Sequence, residues 1–88
     1  MKITTSAVAG TLESSDVYVK AEPCGTLEIE IESVVSAQFG DQIRQTVQDV
    51  LSSLGVDCGR ISLNDKGAID CVIRARVETA VRRAGGEN

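Results

Sequence analysis

A chain of 88 residues with 42% hydrophobic and 25% charged residues has the composition of one small globular domain, expected to span residues 1–88. It has no histidine, one Phe, one Tyr and no Trp, which removes the Ser-His and Cys-His pairs of most self-contained nucleophilic enzymes. Nine basic against 13 acidic residues leave a net charge of −4, so nucleic acid and anionic membrane surfaces are poor partners.

The first half of the chain reads as strands. Val8 to Leu12 is apolar at alternate positions around Gly10. From Asp16 to Ala21, Val17, Val19 and Ala21 lie on one face and Asp16, Tyr18 and Lys20 on the other. Leu27 to Glu32 alternates strictly, with Leu27, Ile29 and Ile31 opposed by Glu28, Glu30 and Glu32. A period of two signals a strand with one face buried and one in water, the habit of antiparallel sheets. Glu13-Ser14-Ser15-Asp16 and Glu22-Pro23-Cys24-Gly25-Thr26 read as the connecting turns.

A helix then follows, with Ser33 expected as its N-cap and Gly55 as its stop. Its apolar stripe is Val35, Phe39, Ile43, Val47, Val50, Leu51 and Leu54, interrupted by Gly40. Arg60 to Asn64 is a short strand, and Asn64-Asp65-Lys66-Gly67 a turn that leads into a last helix. That helix is expected from about Gly67 to Ala84, with Ala68, Ile69, Val72, Ile73, Val77, Ala80, Val81 and Ala84 inward. Asp70, Arg74, Glu78 and Arg82 are spaced four apart with alternating sign, which allows ion pairs along the outer face. Residues 85–88 should fray. The expected fold is α+β, a two-layer sandwich. A mostly antiparallel sheet of three to four strands carries two helices on one face.

No apolar run approaches the length of about 18 residues needed for a membrane span, and MKITTSAVAG lacks the apolar core of a secretory signal. Cys24, Cys58 and Cys71 are odd in number and form no CxxC. A reducing cytosol is the simplest compartment, and neither a disulfide framework nor a structural zinc site is expected.

Four groups of residues are candidate sites. Glu28, Glu30 and Glu32 offer hard oxygen ligands, but residues two apart on a strand cannot close around one ion unaided, and a solvated face explains them. Cys58, before Gly59-Arg60, is the one thiol with a basic neighbour in sequence. Arg74, Arg76, Arg82 and Arg83 could grip an anion, or form a salt-bridged face that complements the helix dipole. In Glu13-Ser14-Ser15-Asp16, two hydroxyls sit on a turn between strands, where another enzyme could reach them. With no histidine to activate either serine, any chemistry there must be a modification by another protein.

Three separated blocks carry a family resemblance that covers nearly the whole chain. They are MKI…AVAGTLESSDV (residues 1–17), QFGDQIRQTVQDVL (38–51) and NDKGAIDCVIRARVE (64–78). In these the chain resembles the acyl carrier (gamma) subunits of citrate lyase, with the delta subunit of malonate decarboxylase as a more distant likeness. The resemblance implies a non-catalytic carrier with a covalent 2'-(5''-phosphoribosyl)-3'-dephospho-CoA group, joined by a phosphodiester to Ser14, with Ser15 as the alternative. It implies cytoplasmic partners: the citrate lyase alpha (transferase) and beta (lyase) subunits and a cofactor-transfer enzyme. The family pattern at the turn is Ser-Gly-Asp, whereas this chain has Ser14-Ser15-Asp16. Ser15 therefore stands where the family has a residue that takes positive φ freely. The competing readings are a malonate decarboxylase-type carrier, a cofactor-free acidic interaction module and a small thiol enzyme using Cys58.

Overall fold

The computed structural model describes residues 1–87, with Ser36 described by its backbone alone. The elements run β1 (Ala7–Ala9), β2 (Val17–Glu22), β3 (Leu27–Ser33), α1 (Ser36–Ser53), β4 (Gly59–Asp65) and α2 (Asp70–Ala84). They form a four-stranded sheet of order β1-β2-β4-β3. β1 and β2 are antiparallel, as are β2 and β4, and β3 lies parallel to β4. The parallel pair follows from connectivity, because α1 carries the chain back between β3 and β4 as a crossover. The expected α+β architecture of a mostly antiparallel sheet with two helices is the one found.

The two inner strands bury the residues that the alternation assigned inward. Val17, Val19 and Ala21 of β2 and Ile61 and Leu63 of β4 are buried under the helices. Cross-strand register sets Val19 opposite Leu63 and Ala21 opposite Ile61, the branched contacts that stabilise sheets. α2 covers β1 and β2, while α1 packs on β3 and against α2. Ile43, Val47, Val50 and Leu51 from α1 meet Ile73, Val77, Ala80, Val81 and Ala84 from α2 in one core. Tyr18, Lys20, Ser62, Asn64, Glu30 and Glu32 line the open side of the sheet. β3 is an edge strand, so its inward row is only half-buried at Ile29 and Ile31 and exposed at Leu27.

Several expected boundaries shift, each for a local reason. β1 ends at Ala9 rather than Leu12, because Gly10 has φ +87° and turns the chain away. A Cβ there would lie 1.8 Å from the Val17 carbonyl oxygen. Ser33 does not cap α1. It closes β3, accepts from the Val35 amide at 3.1 Å and donates to Asp65 at 2.7 Å, while Val35 occupies the N-cap position. α2 begins at Asp70, not Gly67, since residues 66–68 are occupied in turning around Asp65. Phe39 and Ile69, expected inward, are 45% and 67% exposed. They flank the first turns of the two helices, beyond the reach of the sheet.

Both helices end as Schellman motifs. After α1 the Val56 amide donates to Leu51 and Gly55 has φ +68°. After α2 the Glu87 amide donates to Arg82 and the Gly86 amide to Arg83. Residues 85–87 are therefore hydrogen-bonded rather than frayed, and Asn88 lies outside the described residues.

Candidate functional site

The connection between β1 and β2 is built by its backbone bonds. The Asp16 amide donates to the Glu13 carbonyl at 3.1 Å, closing a four-residue turn with Ser14 and Ser15 at its centre. Ser15 has φ +67° and is the single non-glycine residue with positive φ among those described. Negative φ at the first central position and positive φ at the second are the signs of a type II turn, which favours glycine at the second. The Ser15 amide donates to the Lys66 carbonyl at 2.8 Å, and the Lys66 amide to the Asp16 carbonyl at 2.9 Å. Two residues of one strand thus oppose one of the other, a G1-type bulge whose first residue is normally glycine. Placing serine there costs about 1–2 kcal/mol of backbone strain.

Asp16 fixes this turn to its surroundings. The Thr11 hydroxyl donates to one carboxylate oxygen at 2.8 Å and the Val17 amide to the other at 2.7 Å. From α2, Arg76 places Nε and Nη2 each 3.1 Å from the two oxygens, a bidentate fork. The Asp16 side chain is only 14% exposed. The Thr11 hydroxyl, the Val17 amide and the Arg76 guanidinium hold its carboxyl down to about 2. Ser14 and Ser15 stand exposed above this clamp. Neither hydroxyl has a hydrogen-bond partner among the described residues.

Asp65, 0% exposed, supports the other side of the turn. Its carboxylate accepts from the Ser33 hydroxyl at 2.7 Å and the Ala68 amide at 2.9 Å, which shapes the Lys66–Ala68 loop that Ser15 bonds to. The ends of β3 and β4, the starts of both helices and the serine turn therefore meet at one pole of the molecule.

The other candidates disperse. Glu28 and Glu30 pair with Arg60 at 3.2 and 3.6 Å, and Glu32 stays exposed. The Cys24 thiol and Arg60 hold the Glu28 carboxyl below the usual range. Arg60 is thus committed to carboxylates, not to the neighbouring Cys58. All three cysteines are free, with Cys71 exposed. The four arginines do not converge. Arg74 bonds Asp70 at 2.7 Å and reaches Asp49 of α1 at 3.6 Å, Arg82 pairs with Glu78 and Glu87, and Arg83 donates to the Val8 carbonyl. Only Arg76 joins the serine turn.

Sequence reasoning placed Ser14 and Ser15 on an accessible turn between two strands, as found, but missed the clamp beneath it. The signal was an Arg at position 76 outside the four-residue charge ladder, on the side of α2 that faces β2.

Residues 4–84 match a protein-family model described as the malonate decarboxylase delta subunit, an acyl carrier family. The chain is 56% identical over 87 residues to the citrate lyase acyl carrier protein of Haemophilus influenzae (strain PittEE), covering 99% of this chain and 92% of the relative. It is 58% identical over 88 residues to that of Enterobacter sp. (strain 638), covering 99% and 91%. In fold it is similar to a chain in the crystal structure of a Pseudomonas malonate decarboxylase hetero-tetramer in complex with malonate. That match has a TM-score of 0.83 at 22% identity and covers 94% of this chain and 87% of the other.

Proposed function

Because the chain belongs to the citrate lyase acyl carrier family, and is thereby a non-catalytic carrier subunit of an enzyme complex, we propose that Ser14 carries its prosthetic group. The group would be 2'-(5''-phosphoribosyl)-3'-dephospho-CoA, held through a phosphodiester, and its terminal thiol would supply a thioester-forming end for acetyl and citryl groups. The observation that carries this reading is the exposed Ser14 hydroxyl, unbonded at the apex of a clamped turn.

The residues present fit such a group. Ser14 occupies the first central turn position, free of the positive φ that strains Ser15, and is exposed. Attachment needs an activated phosphoric ester of the cofactor: the Ser14 oxygen forms its bond to phosphorus as the bond to the leaving phosphate breaks. The hydroxyl proton passes to a base on the cofactor-transfer enzyme, since this chain has no histidine to take it. Ser15 is the poorer acceptor, because its positive φ ties its position to the bulge.

A tethered thioester raises the effective concentration of acyl group at each partner site. In this reading the partners are the citrate lyase alpha and beta subunits, in the cytoplasm. The bound group would supply the thiol on which acetyl is exchanged for citryl at the alpha subunit, with release of acetate, and from which the beta subunit would cleave oxaloacetate, leaving acetyl. The carrier binds no substrate of its own and contributes attachment and reach.

Intact mass after coexpression with the cofactor-transfer enzyme tests the assignment. Wild type and Ser15→Ala are expected to gain the mass of the group, and Ser14→Ala to gain nothing. Modified Ser14→Ala would overturn the assignment, and an unmodified wild type would favour a cofactor-free module. The family model's description supports a second reading as a malonate decarboxylase carrier. Reconstitution with the subunits of each complex decides, and turnover of citrate rather than malonate is expected from the identities of 55% and above.

A further inference from the structure

We propose that Arg76 and Asp16 are positioning residues that hold Ser15 in its left-handed conformation and so keep the Ser14 turn in the shape an attaching enzyme reads. This rests on the reading of Ser14 as the attachment point. Ser15 occupies a position built for glycine, and no side-chain bond of its own offsets the strain. Its conformation must be enforced by neighbours. Two backbone bonds to Lys66 act on one side. On the other, Asp16 follows Ser15 directly, and its carboxylate is held by the Thr11 hydroxyl, the Val17 amide and Arg76.

Among the groups on that carboxylate, Thr11 belongs to the connection itself, and the Val17 amide opens β2, directly after Asp16. Arg76 is the one sequence-distant group among them, 60 residues away, on a helix packed into the core. Its planar fork sets both oxygens at once, which a single-point donor cannot do. Without it the bonds to Lys66 remain, but the turn loses its link to α2, and the balance at Ser15 shifts toward negative φ. The fraction of molecules with the competent turn then falls, and apparent affinity for the attaching enzyme falls by the same fraction.

The test uses the full-length, unmodified protein with two readouts. One is the exchange rate of the Ser15 amide, which bonds Lys66; the other is KM and kcat for cofactor transfer. Arg76→Met is expected to speed Ser15 exchange about tenfold. It is also expected to raise KM about three- to tenfold with kcat nearly unchanged. Adding Ser15→Gly should return both to within about twofold of wild type, because glycine holds positive φ without the clamp. A general loss of stability would instead speed exchange of the core amides of β2 and β4 to the same degree, which this proposal leaves unchanged. Should Arg76→Met not fold, Arg76→Lys, which keeps the charge and loses the fork, carries the same expectations.

Unchanged Ser15 exchange, an unchanged KM, or no rescue by Ser15→Gly would each overturn the proposal. The exchange measurement needs no cofactor, so it stands even if Ser14→Ala were modified and the attachment assignment failed.

Discussion

At Gly10 the backbone of the β1–β2 connection passes so close to Val17 that a methyl group would overlap its carbonyl oxygen. Gly10→Ala adds that clash to the strain of φ +87° and is expected to lower unfolding free energy by about 2–4 kcal/mol in urea titration. Ser15→Gly works in the opposite sense. It removes the strain of a side chain at positive φ, is partly offset by a freer unfolded chain, and should stabilise the protein by about 0.5–1 kcal/mol. Asp16 adds a pH dependence. Its folded pKa of about 2 lies below the unfolded value. Its stabilisation is therefore full above the unfolded value of about 3.9 and is lost as pH falls through about 2. Urea midpoints of Asp16→Asn should thus fall less steeply than wild type between about pH 4 and pH 2. Glu28 and Asp70 are shifted in the same direction, so some acid lability remains.

Between elements, a part-buried polar contact of the helix pair joins the buried Thr46 of α1 to Asp70 at the start of α2. The Thr46 hydroxyl, then Arg74, hold the Asp70 carboxyl below its ordinary range. Thr46→Val preserves the shape and deletes the donor, and is expected to cost about 1 kcal/mol by thermal or urea unfolding. This contact was not legible in the chain, because Thr46 and Asp70 are 24 positions apart and belong to separate periodic segments. The segments themselves were legible. Strict alternation in β2 marked Val17, Val19 and Ala21, and all three are buried. What failed was the edges of elements. Phe39 and Ile69 obey the helical period yet stand exposed, since period reports a face and not where the sheet beneath it stops. Ser33 reads as a cap from its residue type, yet β3 runs on through it, its hydroxyl bonds Asp65 and the Val35 amide, and α1 starts later, behind Val35. The serine turn was readable because its residues are adjacent, and its clamp was not, because Arg76 is brought there only by packing.

Over the whole molecule the core is small, so single large truncations carry weight. Leu51 is buried at the junction of the helices and the sheet. Leu51→Ala should cost about 2–4 kcal/mol. That is a large share of the roughly 5–15 kcal/mol that holds a domain folded, so the transition should move to much lower denaturant.

The sheet order has a further consequence. β2 pairs with β4, not with its sequence neighbour β3, and the bonds that shape the Ser14 turn come from Lys66 and Arg76. The turn is therefore among the last features a growing chain can complete, since its supports arrive some fifty to sixty residues behind it. If attachment requires the formed turn, a partly synthesised or unfolded chain is not an acceptor. On the proposed assignment, loading at Ser14 would then double as a check that the chain is folded.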